Sequence, residues 1–389
     1  MFDSQPLPHY FSAEHEAFRD TLRRFVITEI TPFVNEWDEA GTFPRELYAK
    51  AAELGLLGVG YPEEYGGTPA DVFHHLVISE EFARSGCGGV SASLNSHSIG
   101  LPPLVNHGSD ELKARFVPAV LAGKKISALA VTEPSGGSDV AALKTTALRE
   151  GNHYVVNGEK TFITSGMRAD IFTVAVRTDP SAAGPSGISA LLIEGNTPGL
   201  TRTELRKMGW WSSDTAHLRF DNCRVPVDNL IGTENKGFKT FMNNFNSERL
   251  GMAASAATYA QVCLEEAVDW ARQRSTFGAP LSQRQVIRHK FMDMAMRVDA
   301  ARCLIYELAY RIKHGAGDPS QLVARICMAK VLGTQAMQFC ADQAVQILGG
   351  MGYMRGTKSE RIYRETKVMM IGGGSEEIMK DLASRQLGI

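Results

Sequence analysis

The chain of 389 residues is 44% hydrophobic and 22% charged, with a formal net charge of -2. This length and composition can bury a sizeable core and should divide into two or three domains. Because acidic and basic residues are interspersed and no run of about twenty apolar residues occurs, we expect no nucleic-acid partner and no membrane partner.

The cysteines are scattered and form no Cys-x-x-Cys pair, so they predict neither a metal site nor a redox pair. All six are expected to be reduced core residues: Cys87, Cys223, Cys263, Cys303, Cys327 and Cys340. The first eight residues lack a basic leader and a hydrophobic run. We therefore expect a cytoplasmic protein, or one of an organelle matrix if a targeting peptide has been removed.

The first third of the chain has helical apolar spacing. Between Ser12 and about Lys125, apolar residues such as Phe18 and Leu22 recur on one helical face. This pattern predicts an N-terminal α-helical domain, residues 1–125.

The middle of the chain has short β-rich runs separated by Gly, Pro, Asn-Gly or Asp-Pro turns. The clearest runs are Tyr154–Val156, Ile171–Val176, Ile188–Ile193 and Ala216–Phe220. This spacing predicts a small antiparallel β-barrel or sandwich, and we assign residues 126–235 to it.

Helical periodicity returns in the last third of the chain. It covers Phe238 to about Ser275, Gln283 to His314, Pro319 to Leu348 and Glu376 to Arg385. Gly315–Pro319 is a helix stop followed by a restart. We assign residues 236–389 to a C-terminal helical bundle, so the fold class is α+β with the order helical, β, helical.

Two turns of the middle segment are suited to binding a ligand. The first turn, Thr132–Asp139, follows the strand-like run Ser127–Val131, and the second, Phe162–Gly166, lies at the end of another predicted strand. Pro134 and the adjacent glycines let the backbone approach a planar or phosphorylated ligand closely. Either turn alone is equally compatible with an ordinary loop of a β-domain.

Glu248 lies on the apolar face of a predicted helix, together with Phe241, Phe245, Met252 and Tyr259. The neighbouring positions one turn away carry no opposite charge, so a routine ion pair along the helix is excluded. Burial on such a face raises the pKa of a carboxyl group, which suits a general base. Pairing with an arginine from another helix is the alternative.

Three turns at helix ends are open to two interpretations each. Gly372–Ser375 precedes a predicted helix, whereas Arg272–Gly278 and Gln346–Tyr353 follow one. Gly372–Ser375 and Gln346–Tyr353 are compatible with plain helix capping and with backbone contact to a ligand. The cations of Arg272–Gly278 are compatible with offsetting the helix dipole and with binding a phosphate.

Taken together, these motifs resemble those of the acyl-CoA dehydrogenase family over nearly the whole chain. The matching segments are Val131–Val140, Phe162–Gly166, Lys207–Gly209, Ser213–Thr215, Val225–Pro226, Arg274–Gly278, Gln285 and Gln346–Gly350. The resemblance implies an N-terminal helical domain, a middle β-domain and a C-terminal four-helix domain. It also implies FAD as the cofactor, held between the β-domain and the C-terminal helices.

The resemblance assigns roles to individual residues. The flavin ring and the start of its ribityl chain would contact Leu129, Val131, Thr132, Gly137, Ser138, Phe162, Ile163 and Thr164. The FAD of a neighbouring subunit would contact Arg274, Thr276, Phe277, Gln285, Gln346, Ile347, Gly349 and Gly350, which implies a homo-oligomer, usually a tetramer. Ser375 and Glu377 are also expected to contact the cofactor. The acyl-CoA would contact Ser138, Asn246, Arg249, Gly373 and Gly374.

The sequence departs from many medium- and short-chain members at the catalytic base. Those members carry a Tyr-Glu-Gly-Thr loop near the C-terminus, whereas this chain has Gly372–Ser375, with Gly373 at the glutamate position. The isovaleryl-CoA and long-chain dehydrogenases hold the base on the preceding long helix, in a context that Glu248–Leu250 matches. The resemblance therefore implies that Glu248 is the catalytic residue. Phe162 replaces the frequent Trp.

The implied reaction is α,β-dehydrogenation of an acyl-CoA to the trans-2-enoyl-CoA, with electrons passing to electron-transferring flavoprotein. A base on the helix beside Gly373 leaves volume for a branched or a medium to long acyl group. An oxygen-using acyl-CoA oxidase or a flavin monooxygenase on the same scaffold is the alternative. A catalytically silent flavin-binding or nucleic-acid-associated member of the fold would be supported by a basic patch and loss of the base, neither of which the sequence shows.

Overall fold

A computed structural model describes residues 9–389; residues 1–8, for which the sequence predicts no leader, lie outside the described part. The N-terminal helices are α1 Ala13–Phe25, α2 Val34–Ala40, α3 Glu46–Glu53, α4 Val72–Ala83, α5 Gly88–Leu94, α6 His97–Gly100, α7 Pro102–His107 and α8 Asp110–Leu121. Ser12 and Asp71 begin α1 and α4 with capping boxes, in which a side chain accepts the otherwise unpaired N–H groups of the first turn. The first predicted domain is thus helical.

The middle of the chain forms one eight-stranded sheet. Its strands are β1 Ser127–Ala130, β2 Thr146–Glu150, β3 His153–Thr164, β4 Ile171–Arg177, β5 Ile188–Glu194, β6 Leu200–Glu204, β7 Thr215–Pro226 and β8 Leu230–Ile231. They are arranged in the order β6-β7-β3-β2-β4-β5-β8, with β1 beside β4. β4 and β5 are buried along nearly their whole length, so this sheet is covered on both faces there.

The sequence predicted an antiparallel sheet, but the observed sheet also contains parallel strand pairs. β1 pairs with β4 in parallel, with Ser127 opposite Ile171 and Ala130 opposite Val174. The chain enters the sheet from α8 and reaches β4 only after the β2–β3 hairpin, so β1 has no hairpin partner. A parallel pair of this kind requires a long connection, and alternating hydrophobicity alone does not reveal it.

The last third of the chain is helical. After the long helix α9 Gly237–Gln273, a two-stranded ribbon of β9 Ser275–Thr276 and β10 Ala279–Pro280 leads to the remaining helices. These are α10 Gln285–Lys313, α11 Pro319–Leu348, α12 Gly350–Tyr353, α13 Lys358–Ile371 and α14 Glu376–Leu387. Asp318 caps α11 with Pro319 in its first turn, which confirms the predicted stop and restart. α9 and α11 pack closely at Gly333, where a Cβ would lie only 2.8 Å from the Ala253 carbonyl oxygen.

Helix α13 was not predicted from hydrophobic periodicity. Its buried face is largely polar and includes Glu360, Arg361 and Glu365. A helix whose buried side carries charged groups shows no apolar stripe, so the usual signal is missing.

Five of the six cysteines are buried and free, as predicted, but Cys303 on α10 is exposed, so its assignment to the core was wrong. Within residues 9–389, no helix combines the length and the apolar character needed to cross a bilayer.

Candidate active site

The two predicted ligand-binding turns lie side by side in the sheet. The Thr161 N–H donates to the Thr132 carbonyl at 2.9 Å, which joins the turns through their backbones. Lys160 crosses between them as well, because its Nζ donates to the Val131 carbonyl at 3.0 Å and to Glu133 Oε1 at 2.8 Å. The structure therefore brings together the two motifs that the sequence singled out.

The buried ion pair between Lys160 and Glu133 fixes this geometry. The side chains of Lys160 and Glu133 are 0% and 4% exposed, and the Glu133 carboxylate also accepts the N–H groups of Lys144 and Thr145. Burial opposes ionisation of Glu133, but the Lys160 ammonium and these donors outweigh it, so the pKa of Glu133 lies below its usual value. A fully hydrogen-bonded buried pair holds both turns in one arrangement.

A β-bulge turns Phe162 out of the sheet. The pairing of β3 with β7 shifts register between Lys160 and Ile163, so extra residues are accommodated there. Phe162 and Ser165 both have left-handed backbone, with φ of 59°. Non-glycine residues seldom adopt this conformation, and bulges near binding sites commonly re-aim a side chain. The Phe162 ring is 70% exposed as a result and presents an apolar face.

The other residues predicted to contact the flavin lie on β1, on β3 and in the turn that follows β1. Thr132, Thr164 and Leu129 are partly buried, Gly137 and Ser138 are exposed, and Val131 and Ile163 are buried in the sheet. An exposed aromatic wall beside hydroxyls and a glycine-rich backbone fits a planar, polar-edged isoalloxazine ring. The side chains of Val131 and Ile163 are buried, so a contact of these two residues with the flavin would have to be made by their backbones.

Glu248 lies on α9 with one carboxylate oxygen shielded from solvent and without a hydrogen-bond partner. Glu248 is partly exposed as a residue, but its Oε2 atom is fully covered. Within residues 9–389 it forms no ion pair, so the alternative of pairing with an arginine from another helix is not observed. Burial raises the pKa of Glu248 to about 7, although Arg249 and Lys330 act in the opposite direction. A carboxyl with such a pKa can both take and hold a proton near neutral pH.

The glycine-rich loop after α13 lies directly against this carboxylate. Gly373 has φ of 67°, and a Cβ placed there would be 4.0 Å from Glu248 Oε1 and 2.9 Å from the Met252 sulfur. Side chains at positions 248 and 373 would therefore reach the same point. The absence of a side chain at Gly373 leaves that point to the Glu248 carboxylate and keeps the loop backbone accessible.

Arg249 braces the loop. Its Nε donates to the Gly373 carbonyl at 3.0 Å, and one terminal nitrogen donates to Asn246 Oδ1 at 3.2 Å. Three of the residues predicted to bind substrate, Asn246, Arg249 and Gly373, thus lie together. Both of these Arg249 hydrogen bonds are made to the protein itself. Gly374, the fourth, is part of the same loop, whereas Ser138 lies in the glycine turn of the β-domain.

Sequence reasoning missed Lys330. Its Nζ donates to the Met370 carbonyl at 3.0 Å and to the Gly374 carbonyl at 2.7 Å, so it holds the loop from the side of α11. The one available signal was a lysine within the apolar run Ile326–Leu332 of that helix.

The remaining predicted cofactor contacts lie at the other end of the helical bundle. Arg274, Thr276 and the 98% exposed Phe277 follow α9, and Gln285 begins α10. Gln346, Ile347, Gly349 and Gly350 lie at the end of α11, where Ile347 is buried and the other three are exposed. The hydrogen bond from Lys290 to Gln343 joins α10 and α11 near this end. Since a helix rises about 1.5 Å per residue, Arg274 lies about 39 Å along α9 from Glu248.

Ser375 and Glu377 begin α14 beside the glycine loop. The Ser375 hydroxyl accepts the Ile378 N–H, which confirms the predicted helix cap. Glu377 is exposed, and its pKa is lowered by its own backbone N–H and by the Ser375 hydroxyl. Their cofactor contact remains a prediction.

Sequence comparisons agree with this architecture. Three family models match in succession: the N-terminal domain of acyl-CoA dehydrogenase at residues 12–124, the middle domain at 128–223 and the C-terminal domain at 235–388. The chain belongs to the acyl-CoA dehydrogenase family. Members of this family are FAD-dependent oxidoreductases that act on CH–CH bonds, and solved structures similar to this chain contain FAD or FADH2.

Several relatives are similar over nearly their full length. An acyl-CoA dehydrogenase of Bacillus subtilis is 39% identical, over 97% of this chain and 99% of the relative. The rat mitochondrial long-chain specific acyl-CoA dehydrogenase is 37% identical, over 97% of this chain and 87% of its own. The crystal structure of a putative acyl-CoA dehydrogenase from Mycobacterium smegmatis is 45% identical, with a TM-score of 0.94 and coverage of 98% of this chain and 99% of the other. These relatives confirm the fold, the enzyme class and FAD as the cofactor that the resemblance implied.

Proposed function

We propose that Glu248 removes the α-proton of an acyl-CoA thioester, which is converted to the trans-2-enoyl-CoA. The observation that carries this role is the shielded Glu248 Oε2, which has no partner and whose carboxyl group has a pKa of about 7. FAD, when bound, accepts the hydride that leaves the β-carbon. Proton and hydride together account for the two hydrogens lost, and the α–β single bond becomes a double bond.

The glycine loop assists this step through its backbone. No backbone hydrogen bond in residues 9–389 uses the Gly373 N–H, so it can donate to the thioester oxygen. Negative charge develops on that oxygen as the α-proton leaves, and a fixed N–H donor stabilises it most at that stage. Arg249 holds the Gly373 carbonyl on the opposite side of the loop and thereby orients it.

The distance along α9 supports an oligomer. The residues near Arg274 lie about 39 Å along α9 from the proposed base Glu248. The family resemblance assigns the residues near Arg274 to the FAD of a neighbouring subunit, with the exposed Phe277 as an apolar contact. A homotetramer is the assembly that we expect.

The substrate is a branched or a medium to long acyl-CoA. Similarity to a relative named as long-chain specific supports this proposal. Electron-transferring flavoprotein is the proposed acceptor, and a chain from a structure of the Acidaminococcus fermentans electron-transferring flavoprotein is 34% identical to this one. Anaerobic titration of the flavin with straight, branched and aromatic acyl-CoAs would identify the preferred acyl group.

Substitution of the base tests the proposal. Glu248→Gln should retain FAD but slow anaerobic flavin reduction by acyl-CoA by about 10²- to 10⁴-fold, the usual contribution of a positioned base. Glu265→Gln is a matched control on the same helix, because Glu265 is exposed and pairs with Arg84 and Gln261. Reduction at the wild-type rate by Glu248→Gln would rule out this base. Rapid reoxidation of the reduced protein by air in the presence of product would favour an oxidase instead.

A further inference from the structure

Lys330 is a buried cation without a carboxylate partner in direct contact. It is 0% exposed at the middle of α11, and within residues 9–389 its ammonium bonds to backbone carbonyls and forms no ion pair. Its two acceptors are the Met370 and Gly374 carbonyls, which lie on either side of Gly372 and Gly373. The ammonium thus joins both ends of the loop that faces Glu248.

These two hydrogen bonds offset part of the cost of burying a charge. An unpaired ammonium in a protein interior is strongly unfavourable, so a buried lysine needs oxygen acceptors. The Met370 carbonyl is one of the last four of α13, where unpaired carbonyls carry partial negative charge. Lys330 therefore also acts as a C-terminal cap for α13 and fixes where the helix ends and the loop begins.

The charged groups around Lys330 are few. Glu248 and Arg249 face it from α9, Cys327 lies on its own helix, and Glu376 faces it from α14. Burial, and then Arg249, lower the pKa of Lys330 to about 8, so it is mainly protonated at neutral pH. Its charge lowers the pKa of Glu248, against the larger effect of burial.

We propose that Lys330 is a positioning residue for proton abstraction: its ammonium anchors the glycine loop beside the thioester and provides the positive field in which Glu248 ionises. This role rests on the proposed function of Glu248 as the base. Lys330 contacts neither substrate nor flavin in this assignment and acts only through the loop and through Glu248.

Two substitutions separate the anchor from the charge. Lys330→Met removes both, whereas Lys330→Gln removes the charge and keeps a side-chain donor for the Gly374 carbonyl. For the FAD-loaded enzyme, the rate of anaerobic flavin reduction by acyl-CoA is measured as a function of pH. Both variants should move the acidic limb of this profile upward by about one pH unit, so the rate at pH 6 should fall roughly tenfold. Lys330→Met should in addition weaken acyl-CoA binding, and Lys330→Gln should restore much of it.

Arg325→Met is the matched control on α11. Arg325 pairs with Glu307 on α10, so its loss removes a cation from the same helix without a contact to the loop. This control should leave the acidic limb unchanged. If Lys330→Met fails to hold FAD, the Lys330→Gln profile decides alone.

Two failures are distinguishable in this design. Acidic limbs at the wild-type pH in both Lys330 variants, while Glu248→Gln abolishes reduction, would overturn the role of Lys330 and leave the base in place. Wild-type reduction by Glu248→Gln would instead overturn the base itself.

Discussion

Two lysines are fully buried in the described part of the chain, residues 9–389, and they lie in different electrostatic settings. Lys160 in the β-domain contacts Glu133 directly, whereas Lys330 in the helical bundle binds backbone carbonyls and leaves Glu248 without a hydrogen-bond partner at Oε2. The first arrangement neutralises both charges and fixes two turns against each other. The second leaves a carboxyl group whose protonation state is easily changed. A buried charge that is paired holds structure, and a buried charge that is left unpaired is suited to chemistry.

The largest expected effect concerns the paired site. Lys160→Met leaves the buried Glu133 carboxylate without its cation, which should lower the free energy of unfolding by about 3 to 5 kcal/mol. Thermal unfolding and FAD content should both show the loss. The Glu133→Gln, Lys160→Met double variant should recover part of the stability, because no charge is then left unpaired. An unchanged melting temperature in Lys160→Met would contradict the proposed bracing role.

Substitution of Glu248, the unpaired carboxyl, should raise the stability of the fold, whereas substitution of Lys160 should lower it. The pKa of Glu248 is raised from 4.5 to about 7 in the folded protein, so its carboxyl group favours folding below pH 4.5, and that contribution is lost as pH rises through 7. At pH 8, Glu248→Gln should therefore be more stable than wild type by about 3 kcal/mol, and the difference should disappear near pH 4.

Melting temperatures across this pH range would measure the effect on stability. Glu265→Gln, on the same helix but exposed, should show no comparable trend. If the difference in melting temperature between wild type and Glu248→Gln does not change with pH, the folded protein does not disfavour the ionised form of Glu248.

A smaller effect is expected from the brace on the glycine loop. Arg249→Met removes the donors to Gly373 and Asn246, and hydrogen bonds from charged groups contribute about 1.5 to 3 kcal/mol. If this energy is used in the transition state, flavin reduction should slow roughly tenfold to a hundredfold. Arg249→Lys keeps the charge but not the two-pronged geometry, and it should restore the rate only partly. Flavin reduction at the wild-type rate in Arg249→Met would show that the Arg249 hydrogen bonds to the loop do not assist catalysis.

The smallest effect is expected at the flavin wall. Thr164→Val removes the hydroxyl that the family resemblance places near flavin N5, and one neutral hydrogen bond contributes about 0.5 to 1.5 kcal/mol. FAD affinity should fall by roughly twofold to tenfold. Thr164→Ser keeps the hydroxyl and should bind FAD as wild type does. Equal affinity in the Val and Ser variants would remove Thr164 from the set of flavin contacts.

Much of the fold was accessible from local sequence patterns. The four long helical periods and the β-rich runs follow from apolar spacing, and Asp318–Pro319 marked a helix start by its chemistry. Helix α13 was not predicted, because Arg361 and Glu365 occupy its buried face and interrupt the apolar spacing. The parallel pairing of Ser127–Ala130 was also missed, because strand partners depend on connections that local periodicity does not encode.

The site was accessible only in part. Glu248 was identifiable as an unpaired acid on an apolar face, and the turns near Val131 and Phe162 by their turn residues. The bulge that exposes Phe162 arises from pairing with β7 and has no local signature. Lys330 was missed because its acceptors lie 40 and 44 residues further along the chain.

Exchange of the substrate α-hydrogen with solvent tests the central claim most directly. In D2O, with an acyl-CoA analogue that has no transferable β-hydrogen, proton abstraction is observed without hydride transfer, and mass spectrometry or NMR measures the exchange. The FAD-loaded wild type should exchange the α-hydrogen, and Glu248→Gln should do so at least about a hundredfold more slowly. Exchange at the wild-type rate by a folded, FAD-loaded Glu248→Gln variant would contradict the assignment of this carboxylate as the base.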